Sequence, residues 1–170
     1  MSSSAHSGVQ QLHDPYTLHG SSAARKAVDG MCRILVAEDN PADVYLIRAA
    51  LQEHGIDLPL QVAADGREVL QIICQLEGMA ETQLNLIILD LNLPRHDGIE
   101  ILQRLRESER LGHVPVVVLT SSDSPRDRIL ASELGAASYL RKPSSLEQFL
   151  GLGAVFKELL GRAGSRSSGA

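Results

Sequence analysis

With 170 residues, 44% of them hydrophobic and 22% charged, the chain has an ordinary globular balance and room for one domain with tails. A formal net charge of -5 argues against broad electrostatic binding to nucleic acid, and aromatics at 3% with no tryptophan argue against stacking on single strands. No apolar run approaches the ~20 residues that cross a bilayer, and "MSSSAHSGVQ" lacks the apolar core of a secretion signal, so a cytoplasmic protein with no membrane partner is expected.

Residues 1–30 are rich in Ser, Gly, Ala and His without a sustained apolar period, and read as a flexible arm. Its His6, His13 and His19 share no metal-ligand spacing. "RILVA" (33–37) is a buried strand ended by acids. "NPADVYLIRAALQEHG" (40–55) carries Val44, Ile47, Ala50 and Leu51 on one helical face and stops on Gly55. "LPLQVAA" (58–64) is a weaker strand, followed by the helix "DGREVLQIICQL" (65–76). "LNLIILDL" (84–91) is strongly apolar, and "GIEILQRLRESE" (98–109) repeats apolar residues at helical spacing. "VPVVVLT" (114–120) is a Val-rich strand. "SPRDRILASELG" (124–135) opens with Ser-Pro as cap and first helical residue. "ASYLRK" (137–142) is a short strand, "SLEQFLGLGAVFKELL" (145–160) the last helix, and 161–170 a second flexible tail. Cys32 and Cys74 fit no metal or redox spacing and read as reduced thiols acting as small hydrophobes.

Five strands, each followed by a helix, imply an α/β, doubly wound five-stranded parallel sheet over about residues 31–160. Such sheets bind ligands beyond the carboxyl ends of their strands. This chain places Glu38 and Asp39 there after the first strand, Asp90 after the third, Thr120 at the end of the fourth and Lys142 after the fifth. Singly, each has a bland account: a helix cap, a β-former or a solvated lysine. Together they do not. Two carboxylates brought within ~4 Å repel by roughly 4 kcal/mol at an effective dielectric near 20, more than cap bonds of ~1 kcal/mol return. A cation between them resolves this, and oxygen-only ligands suit Mg2+ or Mn2+. A carboxylate, a divalent metal and a fixed ammonium make a phosphoryl-acceptor site with Asp90 as the group modified.

"ILVAEDNPAD", "LIILDLNLPRHDGIEIL", "VPVVVLTSS" and "GAASYLRKP" resemble, in order and spacing, the blocks of the receiver domain of bacterial two-component response regulators. The resemblance implies a flavodoxin-like (CheY-like) fold with strand order 2-1-3-4-5, and a phosphoacceptor Asp90 served by a sensor histidine kinase. It implies that Asp39, Asp90 and the backbone carbonyl of Asn92 bind Mg2+ (or Mn2+), with Glu38 acting through a water. It makes Thr120 the switch hydroxyl, Tyr139 the aromatic that rotates with it, and Lys142 the contact to the phosphoryl oxygens. It also implies a cis bond between Lys142 and Pro143, against a base rate for X-Pro of about 5–6%. His96, Ser121 and Ser122 depart from or adjoin the family pattern beside the site and are expected to tune dephosphorylation.

"EDNPADVYLIRAAL" and the long loops resemble the stand-alone regulators paired with cyanobacterial and bacterial phytochrome kinases. With about ten polar residues after Leu160, output is expected through a partner, or through a homodimer on the face of the fourth helix, fifth strand and fifth helix. Terminal effector, relay intermediate and phosphate sink remain open. A phosphorylation-independent binding scaffold is a rival reading, although no pocket residue is missing. A haloacid-dehalogenase-type phosphohydrolase is the enzymatic rival, and Asn92 stands where that mechanism needs an acid; the expectation is therefore not an enzyme.

Overall fold

A computed structural model describes residues 34–81 and 83–166. The strands are β1 (Ile34–Ala37), β2 (Leu60–Ala63), β3 (Leu86–Leu89), β4 (Val116–Thr120) and β5 (Ser138–Arg141). The helices are α1 (Pro41–Glu53), α2 (Gly66–Glu77), α3 (Gly98–Glu107), α4 (Pro125–Glu133), α5 (Leu146–Gly151) and α6 (Gly153–Arg166). The strands form one parallel sheet in the order β2-β1-β3-β4-β5, as anticipated.

Both faces of the sheet are covered, which is why β1, β3 and β4 read as unbroken apolar runs. Ile34, Val36, Leu86, Ile88, Val117 and Leu119 pack with α1, Phe149 of α5 and Phe156 of α6. The alternate residues, among them Leu35, Ile87, Leu89 and Val118, pack with Val69 and Ile73 of α2 and Ile101 and Leu105 of α3.

Side-chain caps fix where the helices begin. Asn40 accepts from Ala42 N, Asp65 from Glu68 N, Asp97 from Ile99 N, Ser124 from Asp127 N and Ser145 from Gln148 N. The first of these decides an ambiguity in "EDNP": the cap is Asn40, which leaves the Asp39 carboxylate free of that duty.

Three expectations change. The last helix is broken at Leu152, and Gly153, which opens its second part, lies so close to α1 that a Cβ there would run into the Ala50 carbonyl and the His54 ring. Its second part runs to Arg166, past the predicted stop at Leu160. Cys74 is a free, exposed thiol rather than a packed hydrophobe, since the buried stripe of α2 is Val69, Ile72, Ile73 and Leu76 and position 74 falls off it. The N-terminal arm with its histidines, and Cys32, lie outside the described residues. Among the described residues no helix is long and apolar enough to cross a membrane.

Candidate functional site

Strand register assembles the site. Ala37 pairs with Leu89, so the next residues, Glu38 and Asp90, emerge side by side at the carboxyl edge. The backbone fixes both: Asp90 N donates to Ala37 O at 2.9 Å, and Glu38 N donates to Ala63 O at 3.0 Å. On the other flank Lys142 N donates to Thr120 O at 2.9 Å, which ties the end of β5 to the end of β4. Gly98 lets α3 begin directly behind the acid, where a Cβ would lie 2.5 Å from Leu91 Cα and 2.8 Å from the Asp90 carbonyl oxygen.

Glu38, Asp39 and Asp90 each offer an oxygen, and these oxygens all lie within 4.8 Å of one another. Glu38 and Asp90 are buried while Asp39 is exposed, so the cluster is walled on the protein side and open to solvent on one. Three hard oxygen donors with an open side fit a Mg2+- or Mn2+-like ion, which keeps several waters and needs few protein carboxylates. They do not suit zinc, which favours nitrogen and sulfur.

The Lys142 ammonium sits against this cluster. Its Nζ is 2.6 Å from Asp90 Oδ2, 2.7 Å from Glu38 Oε2 and 2.9 Å from Asp43 Oδ2. Burial would lower the lysine pKa, but the hydrogen bonds to Asp90, Glu38 and Asp43 outweigh it and hold the group above its ordinary value, so it stays charged at neutral pH. Burial pushes the Glu38 carboxyl up, against the opposing pull of Lys142 and of the Asn40 amide, which donates to Oε1 at 3.0 Å. The second Asp90 oxygen, Oδ1, accepts from Asn92 N at 2.9 Å. Both carboxylate oxygens of Asp90 are thus held by donors of different kinds.

Thr120 is fully buried, and its Oγ1 accepts from Asn92 Nδ2 and Ser122 N, each at 3.2 Å. Ser122 in turn donates from Oγ to Asp127 Oδ2 at 2.9 Å, linking the strand end to the first turn of α4. Tyr139 is half-buried; its hydroxyl reaches Ser122 O at 3.5 Å and the Arg128 guanidinium lies 4.7 Å over its ring. Burial raises the Tyr139 pKa. Ser121 is exposed, and His96 faces Glu100 at 3.7 Å.

The residues expected to form the phosphoryl-acceptor site therefore gather at one sheet edge or its flanking loops. Two features differ from expectation. The Lys142–Pro143 bond is trans, like every peptide bond among the described residues; the trans form of X-Pro is favoured by about 0.5–1 kcal/mol, and Lys142 reaches all three carboxylates without the cis form. Asp43, which carries the third ion-pair bond to Lys142, drew no attention in the sequence. An acid in the first turn of a helix already has a sufficient account in the helix dipole, and 99 residues separate it from its partner.

Comparison with known proteins agrees with this geometry. Residues 34–152 match the family model of the response regulator receiver domain. The chain is 40% identical over 114 residues to a probable methanogenesis regulatory protein, FilR2, of Methanothrix harundinacea, covering 67% of this chain and 74% of that protein. It is 39% identical to response regulator Rcp1 of Synechocystis, over 67% of this chain and 78% of Rcp1. It spans only 46% of the Synechocystis DNA-binding regulator RpaA, at 39% identity. Among solved structures, the phosphorylated cyanobacterial phytochrome response regulator RcpA superposes with a TM-score of 0.67 at 31% identity, covering 76% of this chain and 93% of that one. The Mn2+-bound form of Rcp1 gives 0.64 at 33% identity, covering 74% and 91%. The match of sequence blocks, strand order and acidic edge places this chain in the response regulator receiver domain family.

Proposed function

We propose that this chain accepts a phosphoryl group on Asp90 from a sensor histidine kinase in a Mg2+-dependent reaction, and signals through a change of shape rather than through catalysis on a separate substrate. The observation that carries this reading is the Lys142 ammonium 2.6 Å from a buried Asp90, beside a three-oxygen cluster open to solvent. Asp39, Asp90 and the Asn92 backbone carbonyl would hold the ion directly and Glu38 through a water; bound there, the metal supplies positive charge against the incoming phosphoryl oxygens. Asp90 Oδ2 is the oxygen that forms the new bond, and Lys142 turns from it toward the phosphoryl group. Asn92 N, on Oδ1, keeps the carboxylate oriented.

Phosphorylation adds about 1.5–2 negative charges at Asp90. Thr120 Oγ1 is held by two donors, which leaves its own proton free to donate toward the phosphoryl group. Its movement pulls on Ser122, and through Ser122 on Asp127 and the Tyr139 hydroxyl. The element so moved is weakly held: α4 buries only Ala131. Ile129 of α4 and Leu146 of α5 stand 57% and 61% exposed on the face that changes, and are suited to a homodimer or partner contact. Ser121, Ser122 and His96 would tune the lifetime of the phosphoryl group. The kinship with RcpA and Rcp1 supports a phytochrome-type kinase as the donor.

The test is incubation with acetyl phosphate and Mg2+, followed by intact-mass measurement and peptide mapping. A gain of one phosphoryl group on Asp90, absent in Asp90→Asn and in chelator, is expected. An unlabelled wild type supports instead the constitutive scaffold. Size-exclusion with beryllofluoride tests the self-association, and an unchanged monomer removes it.

A further inference from the structure

Asp43 closes the block "ILVAEDNPAD", but the resemblance gives it no role and it lies outside the metal cluster. It belongs to the first turn of α1, its side chain is 19% exposed, and its Oδ2 accepts from Lys142 Nζ at 2.9 Å. An ammonium has three protons, and three carboxylates surround this one: Nζ donates to Asp90 and Asp43 and is ion-paired to Glu38 at 2.7 Å. Two of these three, Glu38 and Asp90, belong to the oxygen cluster that can share an ion, and Asp43 does not. An ion held by the cluster would draw on Glu38 and Asp90, while Asp43, outside the cluster, would remain available to Lys142.

Resting on the reading of Asp90 as phosphoacceptor, we propose that Asp43 is a positioning residue: it anchors the Lys142 ammonium beside Asp90 once metal has drawn the other two carboxylates away. A lysine head group has a flexible four-carbon stem, and holding it in one place costs rotamer freedom. Asp43 contributes that ordering in advance, from the rigid start of a helix whose cap, Asn40, fixes its place. The opposing effect is electrostatic. A carboxylate 2.9 Å from the lysine also subtracts from the positive charge offered to a dianionic group. The two effects have opposite signs, so experiment separates them.

Wild type, Asp43→Asn, Asp43→Glu, Lys142→Ala and the Asp43→Asn/Lys142→Ala double variant are compared for initial labelling rate with acetyl phosphate at saturating Mg2+. Mg2+ affinity is measured separately by amide-shift titration, and folding by circular dichroism. The anchor predicts that Asp43→Asn slows labelling about tenfold, the worth of one charge-assisted hydrogen bond. It predicts less than a threefold change in the Mg2+ dissociation constant, partial rescue in Asp43→Glu, and no added loss in the double variant over Lys142→Ala. Faster labelling in Asp43→Asn, or equal losses with and without Lys142, overturns it. If Asp43→Asn does not fold, the comparison of Asp43→Glu with wild type decides: equal labelling contradicts an anchor sensitive to the length of its arm. A failure of the phosphoacceptor reading looks different, because wild type itself then remains unlabelled.

Discussion

Removing Lys142 tests how much this sheet edge depends on one ammonium. The side chains of Glu38 and Asp90 are 2% and 4% exposed, and their oxygens lie within 4.8 Å of each other. At that separation two unit charges repel by about 3.5 kcal/mol at an effective dielectric of 20. Lysine now offsets this term; Lys142→Ala exposes it, and breaking a buried ion pair from one side typically costs about 3–5 kcal/mol. Protonation of Glu38, whose pKa burial already raises, caps the loss near the lower figure. The expected effect is about 3 kcal/mol, or roughly a 10 °C fall in Tm for a domain of this size. Thermal and urea melts of wild type and Lys142→Ala are run in chelator and then in excess Mg2+. The metal is expected to stabilise the variant more than the wild type, since it supplies the missing charge; at a hundredfold excess over Kd the linkage alone gives about 2.7 kcal/mol. Equal Tm values in chelator, or a variant that gains no more from Mg2+ than wild type, would refute the reasoning.

Glu38→Gln gives a signed pH dependence. The folded pKa of Glu38 lies above 4.5, so the native state holds its proton more tightly than the unfolded chain, and the wild type loses stability as pH rises from about 4.5 through the folded value. The variant lacks that loss, so its deficit relative to wild type in metal-free melts is expected to shrink as pH rises; a deficit that grows contradicts the assigned cause. Asp39→Asn removes the exposed member of the cluster and is expected to raise the Mg2+ dissociation constant about tenfold or more while changing Tm in chelator by less than 2 °C, measured by titration and melting. Gly98→Ala forces a Cβ against Leu91 and the Asp90 backbone, for an expected loss of about 1–3 kcal/mol in urea melts together with slower phosphodonor labelling. Arg106→Ala leaves the carbonyls of Gly112, Val114, Leu134 and Gly135 without their shared donor, and a loss of about 2–4 kcal/mol is expected in the same melts.

The alternation of short strand-like runs with amphipathic segments was enough to read five parallel strands, and it was plainest in β1, β3 and β4, because a strand buried on both faces must be apolar at every position and a helix covering it must be apolar on one side only. The acids at the strand ends were legible for the same reason. A carboxylate closing a buried run has no account in packing, so Glu38 and Asp90 stand out by chemistry alone, and the rule that parallel sheets work at their carboxyl edge brings Thr120 and Lys142 to the same place.

What only the tertiary structure decided are the interactions whose residues look ordinary where they stand. Asp43 reads as a helix-dipole acid until β5 brings Lys142 to it. Arg106 reads as a solvated helix charge until the loops around Gly112 and Gly135 turn four carbonyls toward it. Gly153 reads as helix interior until α1 comes too close for a side chain, and the bond before Pro143 keeps the local trans preference where the family resemblance implied cis. Local pattern records what each residue does for its own strand or helix. Long-range electrostatics and close packing depend on which segments meet, and that information is distributed over the whole chain.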